Sequence, residues 1–132
     1  MSIDRDAAWA AIVEYYARPG VADDLLRAQQ ESDLDVVVFL FFRYLEDDLH
    51  QVFDAAVHAE ARAAIETWRV GAIKPLRALR RNLKSMAGLE TIDATRHEFR
   101  EALKQMEIKA ERIEFLSLCT WLEGRVLVPT PI

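Results

Sequence analysis

Asp47, His50, Asp54 and His58 are spaced 3, 4 and 4 residues apart. On one helical face they would present two imidazoles and two carboxylates, a donor set that suits a divalent metal. The competing reading is a solvated face opposite Val52, Phe53, Ala56 and Val57, with Asp47 before the helix as a cap. A second cluster is cationic. Thr67 to Met86 contains no Asp or Glu but holds Arg69, Lys74, Arg77, Arg80, Arg81 and Lys84, a local +6. On a helix Lys74, Arg77, Arg81 and Lys84 fall 3, 4 and 3 apart and share one face, with Arg80 beside them. Guanidinium forks bind carboxylate and phosphate in a bidentate manner. The stripe therefore either docks an acidic partner or meets the chain's own acids at Glu31, Asp33, Asp35 and Glu46 to Asp48.

Little else could do chemistry. The single cysteine, Cys119, excludes an intrachain disulfide and a cysteine-rich zinc site. It lies among Leu116, Leu118, Trp121 and Leu122 with no cation beside it, as a packing thiol does. His97 has no evident relay. The chain lacks the Gly-rich phosphate loops, the nucleophile elbow, His-Glu-x-x-His and any Glu-x-x-His pair. No cofactor is expected.

Charge and hydropathy set the class. Hydrophobic residues make up 52% and charged residues 30% of 132 residues, which is the balance of a folded domain. Only 4 Gly and 4 Pro argue against a turn-rich all-β architecture. The net charge of −5 disfavours a general nucleic-acid binder. The longest apolar run, Val36 to Phe42, is far too short for a bilayer, which needs about 20 residues. No signal peptide is evident, so a cytoplasmic protein is expected.

The elements that must carry these residues read as helices. Asp4 caps a helix with Trp9, Ile12, Val13 and Tyr16 inward, ended by Arg18-Pro19-Gly20. A second runs from Val21 to Gln30 with Leu25 and Leu26 inward. Val36 to Phe42 has strand propensity, yet Ser32-x-x-Asp35 before it resembles a capping box. A buried helix from Asp33 to Leu45 is the better reading, with Ser32 as cap and Phe39 in the core. Asp48 then caps a helix that continues through Trp68 and is broken or kinked at Gly71 and Pro75. Beyond it Leu76, Leu79, Leu83 and Met86 form an apolar stripe, closed by Gly88.

The last helix begins near Thr91 or Thr95. Phe99, Leu103, Met106, Ala110 and Ile113, spaced 4, 3, 4 and 3, form a coiled-coil-like seam. Further on, Phe115, Leu118, Trp121 and Leu122 wrap the helix in apolar surface, which predicts self-association there. Residues 126–132, with Pro129 and Pro131, are non-helical. The expected fold is all-α: a single helical domain over 1–132, of five or six helices, with a long C-terminal helix and a homodimeric assembly.

Tyr16-Ala-Arg-Pro-Gly-Val21, Asp35-Val36, Trp68-Arg69 and Pro75-Leu-Arg-Ala-Leu-Arg-Arg-Asn-Leu-Lys84 resemble an uncharacterised, mostly proteobacterial family known only as a helical domain of unknown function. The resemblance runs from Trp9 to Glu111, and Val37 stands where an Asn often follows the Asp-Val pair. It implies one helical domain and no activity. The residues favour a non-enzymatic interaction module that docks an acidic protein or nucleic acid on the stripe. The alternative is a small phosphate-ligand-binding or metal-dependent enzyme.

Overall fold

Local capping and helix-breaking residues set most element boundaries. A computed structural model describes residues 2–86 and 92–125. Helix α1 spans Arg5–Tyr16, and the Asp4 carboxylate accepts the Ala7 N–H at 3.0 Å. That satisfies one of the four orphan donors of the first turn. The helix stops before Gly20, whose φ of 83° is cheap only for glycine. Helix α2, Val21–Ser32, ends at Asp33 in the left-handed region with φ 55°. Aspartate tolerates that conformation better than most residues.

Helix α3 is Val36–Asp47 and is helical despite its strand-forming composition. Seven of its residues, Val37, Val38, Leu40, Phe41, Phe42, Tyr44 and Leu45, are buried. A helix satisfies all interior backbone groups within the segment, whereas a strand would need a paired neighbour. The cap is Asp35, which accepts the Val38 N–H at 3.1 Å. Ser32 instead closes α2, its hydroxyl donating to the Ala28 carbonyl at 2.9 Å. The helix thus starts three residues later than its sequence suggests. Phe39 points outward at 40% exposure, because the buried positions centre on the opposite side. Asp35→Ala should therefore cost about 1 kcal/mol as a lost cap, and Ser32→Ala less than half of that, by thermal unfolding.

Asp48 follows α3 as its C-cap rather than opening the next helix. Helix α4, Ala55–Trp68, is opened by Asp54, which accepts the Val57 N–H at 3.0 Å. Val57 is buried, but Val52 is 80% exposed and Ala56 is exposed, since Val52 lies before the helix. A π-helical segment, Arg69–Ile73, follows directly, then helix α5, Lys74–Ser85. The expected break at Gly71 and Pro75 is thus a widened turn. The Lys74 N–H donates five residues back to the Arg69 carbonyl. This register shift puts Pro75 in the first turn of α5, where its missing N–H costs least. Leu79 and Met86 are 41% and 44% exposed, so the α5 stripe is covered only at Leu76 and Leu83.

Helix α6 is Asp93–Gly124. The six α-helical stretches make five continuous helices, since α4 to α5 is unbroken, and no strand occurs among the described residues. The fold class is all-α. Gly88, Thr91 and residues 126–132 lie outside the described residues.

Contacts group the chain into two units, Met1–Ala64 with Phe115–Ile132, and Ile65–Glu114. In the first, Phe41, Leu45, Phe115, Leu118, Cys119 and Leu122 are fully buried. The Phe115 ring lies 5.2 Å from Trp9 and 6.2 Å from Phe41. Trp121 is half-buried and meets Phe42 edge-on at 6.4 Å. Phe115, Leu118 and Leu122 of the wrap expected to self-associate are thus taken up by the chain's own core, Phe115 against α1 and α3, while Trp121 keeps part of its surface exposed. Val13 and Leu26, expected inward, are 50% and 42% exposed. Arg5 closes the α6 end, donating to Glu123 at 2.6 Å and Thr120 at 3.1 Å.

In the second unit the α6 seam consists of Leu103, Glu107, Ala110 and Glu114, all buried. Ile65 and Ile73 are also buried, and the Trp68 indole donates to the Ala110 carbonyl at 2.9 Å. The expected seam keeps Leu103 and Ala110 but leaves Phe99, Met106 and Ile113 outside, at 52%, 51% and 44% exposure.

Candidate functional site

Charge is divided between the two units. By sequence the Ile65–Glu114 unit holds 11 Lys and Arg against 8 Asp and Glu, whereas the remainder holds 6 against 14. The cationic face of α5 is the densest part of that difference. Helical spacing places Lys74, Arg77, Arg81 and Lys84 along one side, and no acid in the helix shields them.

The structure divides this stripe into two roles. Arg80 is structural. Its Nε and Nη2 grip the Glu107 carboxylate, the Nη2 bond to Oε1 being 3.4 Å. The Glu107 side chain is 6% exposed and that of Arg80 is 32% exposed. The partner of this internal pair is on α6, not among the acidic segments near Glu31 or Glu46. Only the fold puts Glu107 in the buried seam with Leu103 and Ala110, and a buried carboxylate demands a cation. Arg69, Lys74 and Arg77 are half-buried and engaged with neighbouring groups. Arg81 and Lys84 are exposed.

A second cationic feature lies at the start of α6. Asp93, Ala94, Arg96, His97 and Arg100 line an open cleft of about 370 Å³. Arg96 spans it, donating to Asp93 at 2.5 Å and to the Met86 carbonyl at 2.7 Å. Arg96 and Arg100 fall beyond the acid-free stretch and are interleaved with Asp93 and Glu98, so charge patterning alone does not single them out.

The candidate metal quartet is not assembled on a helix. Asp47 ends α3 and pairs with Arg43 at 3.3 Å. His50 lies in the connection with φ 56°, and Asp54 is committed to capping α4. His58 stacks on Phe42 at 3.8 Å between ring centres, with Nε2 3.6 Å from Glu46. The helical spacing fails because α3 stops at Asp47 and α4 begins at Ala55. Among the described residues no three His, Cys, Asp or Glu are placed to hold a metal ion. Burial pushes the Cys119 thiol up to about 11, so the thiolate needed for nucleophilic chemistry is scarce near neutral pH.

A family model described as protein of unknown function (DUF2390) matches residues 7–118. The chain belongs to this family. The DUF2390 match takes in α5 entire and α6 as far as Leu118, including Arg80 and Glu107. Neither the curated proteins nor the solved structures contain a match to the chain. No helix among the described residues is long and apolar enough to cross a membrane.

Proposed function

We propose that this DUF2390 chain is a cytoplasmic, non-enzymatic interaction module that docks an acidic protein segment on α5. The observation that carries this reading is the exposure of Arg81 and Lys84 on an acid-free helix. Arg80, fixed to Glu107, holds the helix from the adjacent side. An acidic peptide fits better than a long nucleic acid. Screening confines attraction to about 8 Å at physiological salt. A short segment would feel the stripe alone, whereas an extended polyanion would also meet the surplus of acids elsewhere in a chain of net charge −5. The alternative, a small phosphate-bearing ligand, draws on Arg96, His97 and Arg100 around the open cleft.

The test uses Arg81→Glu/Lys84→Glu, both at exposed sites. Surface changes of this kind move stability by about 0.5 kcal/mol or less. A fluorescent polyglutamate peptide and a single-stranded oligonucleotide of equal charge serve as probes. The expected result is peptide binding that weakens with salt and falls at least about tenfold in the double variant, the equivalent of 1.4 kcal/mol. Equal peptide binding by both proteins would rule out the stripe. Tighter oligonucleotide binding, with log affinity falling by about 0.7 per neutralised phosphate against log salt, would transfer the site to nucleic acid.

A further inference from the structure

Along α6 and the residue before it runs an apolar line that stays about half exposed among the described residues. Ile92, Phe99, Met106 and Ile113 recur every seven residues and are 52%, 52%, 51% and 44% exposed. Within the helix, Thr95, Phe99, Ala102, Met106, Lys109 and Ile113 are all exposed and spaced 4, 3, 4, 3 and 4. That is the spacing of knobs-into-holes packing between two helices. The buried seam at Leu103, Glu107, Ala110 and Glu114 lies beside it.

We propose that this face is a dimer seam whose occupant is a second copy of the same helix, running antiparallel. The charges select both occupant and direction. Glu98 borders the line in its N-terminal half, and Lys109 lies in its C-terminal half, both exposed. In an antiparallel pair related by a twofold axis between Ala102 and Met106, each Met106 faces the small Ala102 of the other copy. Each Phe99 meets the aliphatic stem of Lys109, whose ammonium then reaches Glu98 of the same opposing helix. Two such pairs form at once, as a twofold interface requires. A parallel pair would instead set Lys109 against Lys109 within the seam, and like charges juxtaposed at an interface are costly. This surface is distinct from the α5 stripe and does not depend on the docking reading.

Sedimentation velocity of the full chain over micromolar to hundred-micromolar concentration tests the seam. The wild type is expected to dimerise. Met106→Glu should raise the dissociation constant at least about tenfold, and unchanged circular dichroism is expected because the site is already half-exposed. Glu98→Lys and Lys109→Glu should each weaken the dimer, and the two together should restore it to within about threefold of wild type. That recovery separates a charge-paired antiparallel seam from a generic sticky face. A wild type that stays monomeric at every concentration would overturn the proposal, as would a dimer indifferent to Met106→Glu. Failure of the paired reversal to restore a dimer weakened by each single reversal would overturn the antiparallel register.

Discussion

Phe115→Ala is expected to lower stability by about 3–5 kcal/mol, the range for truncating a buried aromatic residue. Phe115 is fully buried and its ring is held by Trp9 and Phe41, one from α1 and one from α3. Close-packed neighbours relax only partly into such a void. Domains of this size are stable by only about 5–15 kcal/mol, so the variant should show a much lower urea midpoint with an unchanged slope. Phe39→Ala is the contrast. Its ring is 40% exposed, so the expected loss is under about 1.5 kcal/mol, from apolar area alone. Equal losses at the two sites would contradict the orientation of α3.

Arg80→Ala should cost about 2–3 kcal/mol, because it strands the Glu107 carboxylate in a nearly dry site. The figure is below the 3–5 kcal/mol typical of a fully buried pair, since the Arg80 side chain is one-third exposed and solvent already screens it. Glu107→Ala should cost less than Arg80→Ala, because the freed guanidinium can turn to water. Replacing both by Leu should recover most of the loss, as apolar substitutes for buried pairs often do. Urea denaturation of the three variants measures the asymmetry. If Glu107→Ala proved the more damaging, the pair would not be the anchor of α5. These effects differ in kind from those of Arg81→Glu/Lys84→Glu, where stability holds and binding is lost.

The two sets of expectations separate according to what each residue senses. Local chemistry was legible in the chain. Asp4 reads as a cap because a short carboxylate reaches the first-turn N–H groups from that position. Arg18-Pro19-Gly20 reads as a stop because glycine alone takes φ 83° cheaply. The helical state of Val36 to Phe42 is legible too, because the capping pattern Ser32-x-x-Asp35 before it outweighs strand propensity. The cationic face of α5 follows from spacing alone.

Which face of each helix is inside was not legible, because several helices carry apolar residues on more than one side. Phe99, Met106 and Ile113 have the same spacing and chemistry as core residues, yet Leu103 and Ala110 are the ones buried, with the Trp68 indole on the Ala110 carbonyl. The wrap from Phe115 to Leu122 looked like an interface because the sequence could not reveal that α1 and α3 both reach it. Ser32 and Asp35 are each able to cap, and the left-handed turn at Asp33 decided between them. The split of the basic stripe was equally hidden. Arg80 and Arg81 are neighbours of identical chemistry, and a 100° turn of the helix separates a residue fixed to Glu107 from one facing water. Sequence determines what a side chain can do, through its charge, size and helical spacing. The tertiary structure decides which of those capacities are used internally, because burial depends on neighbours that are distant along the chain.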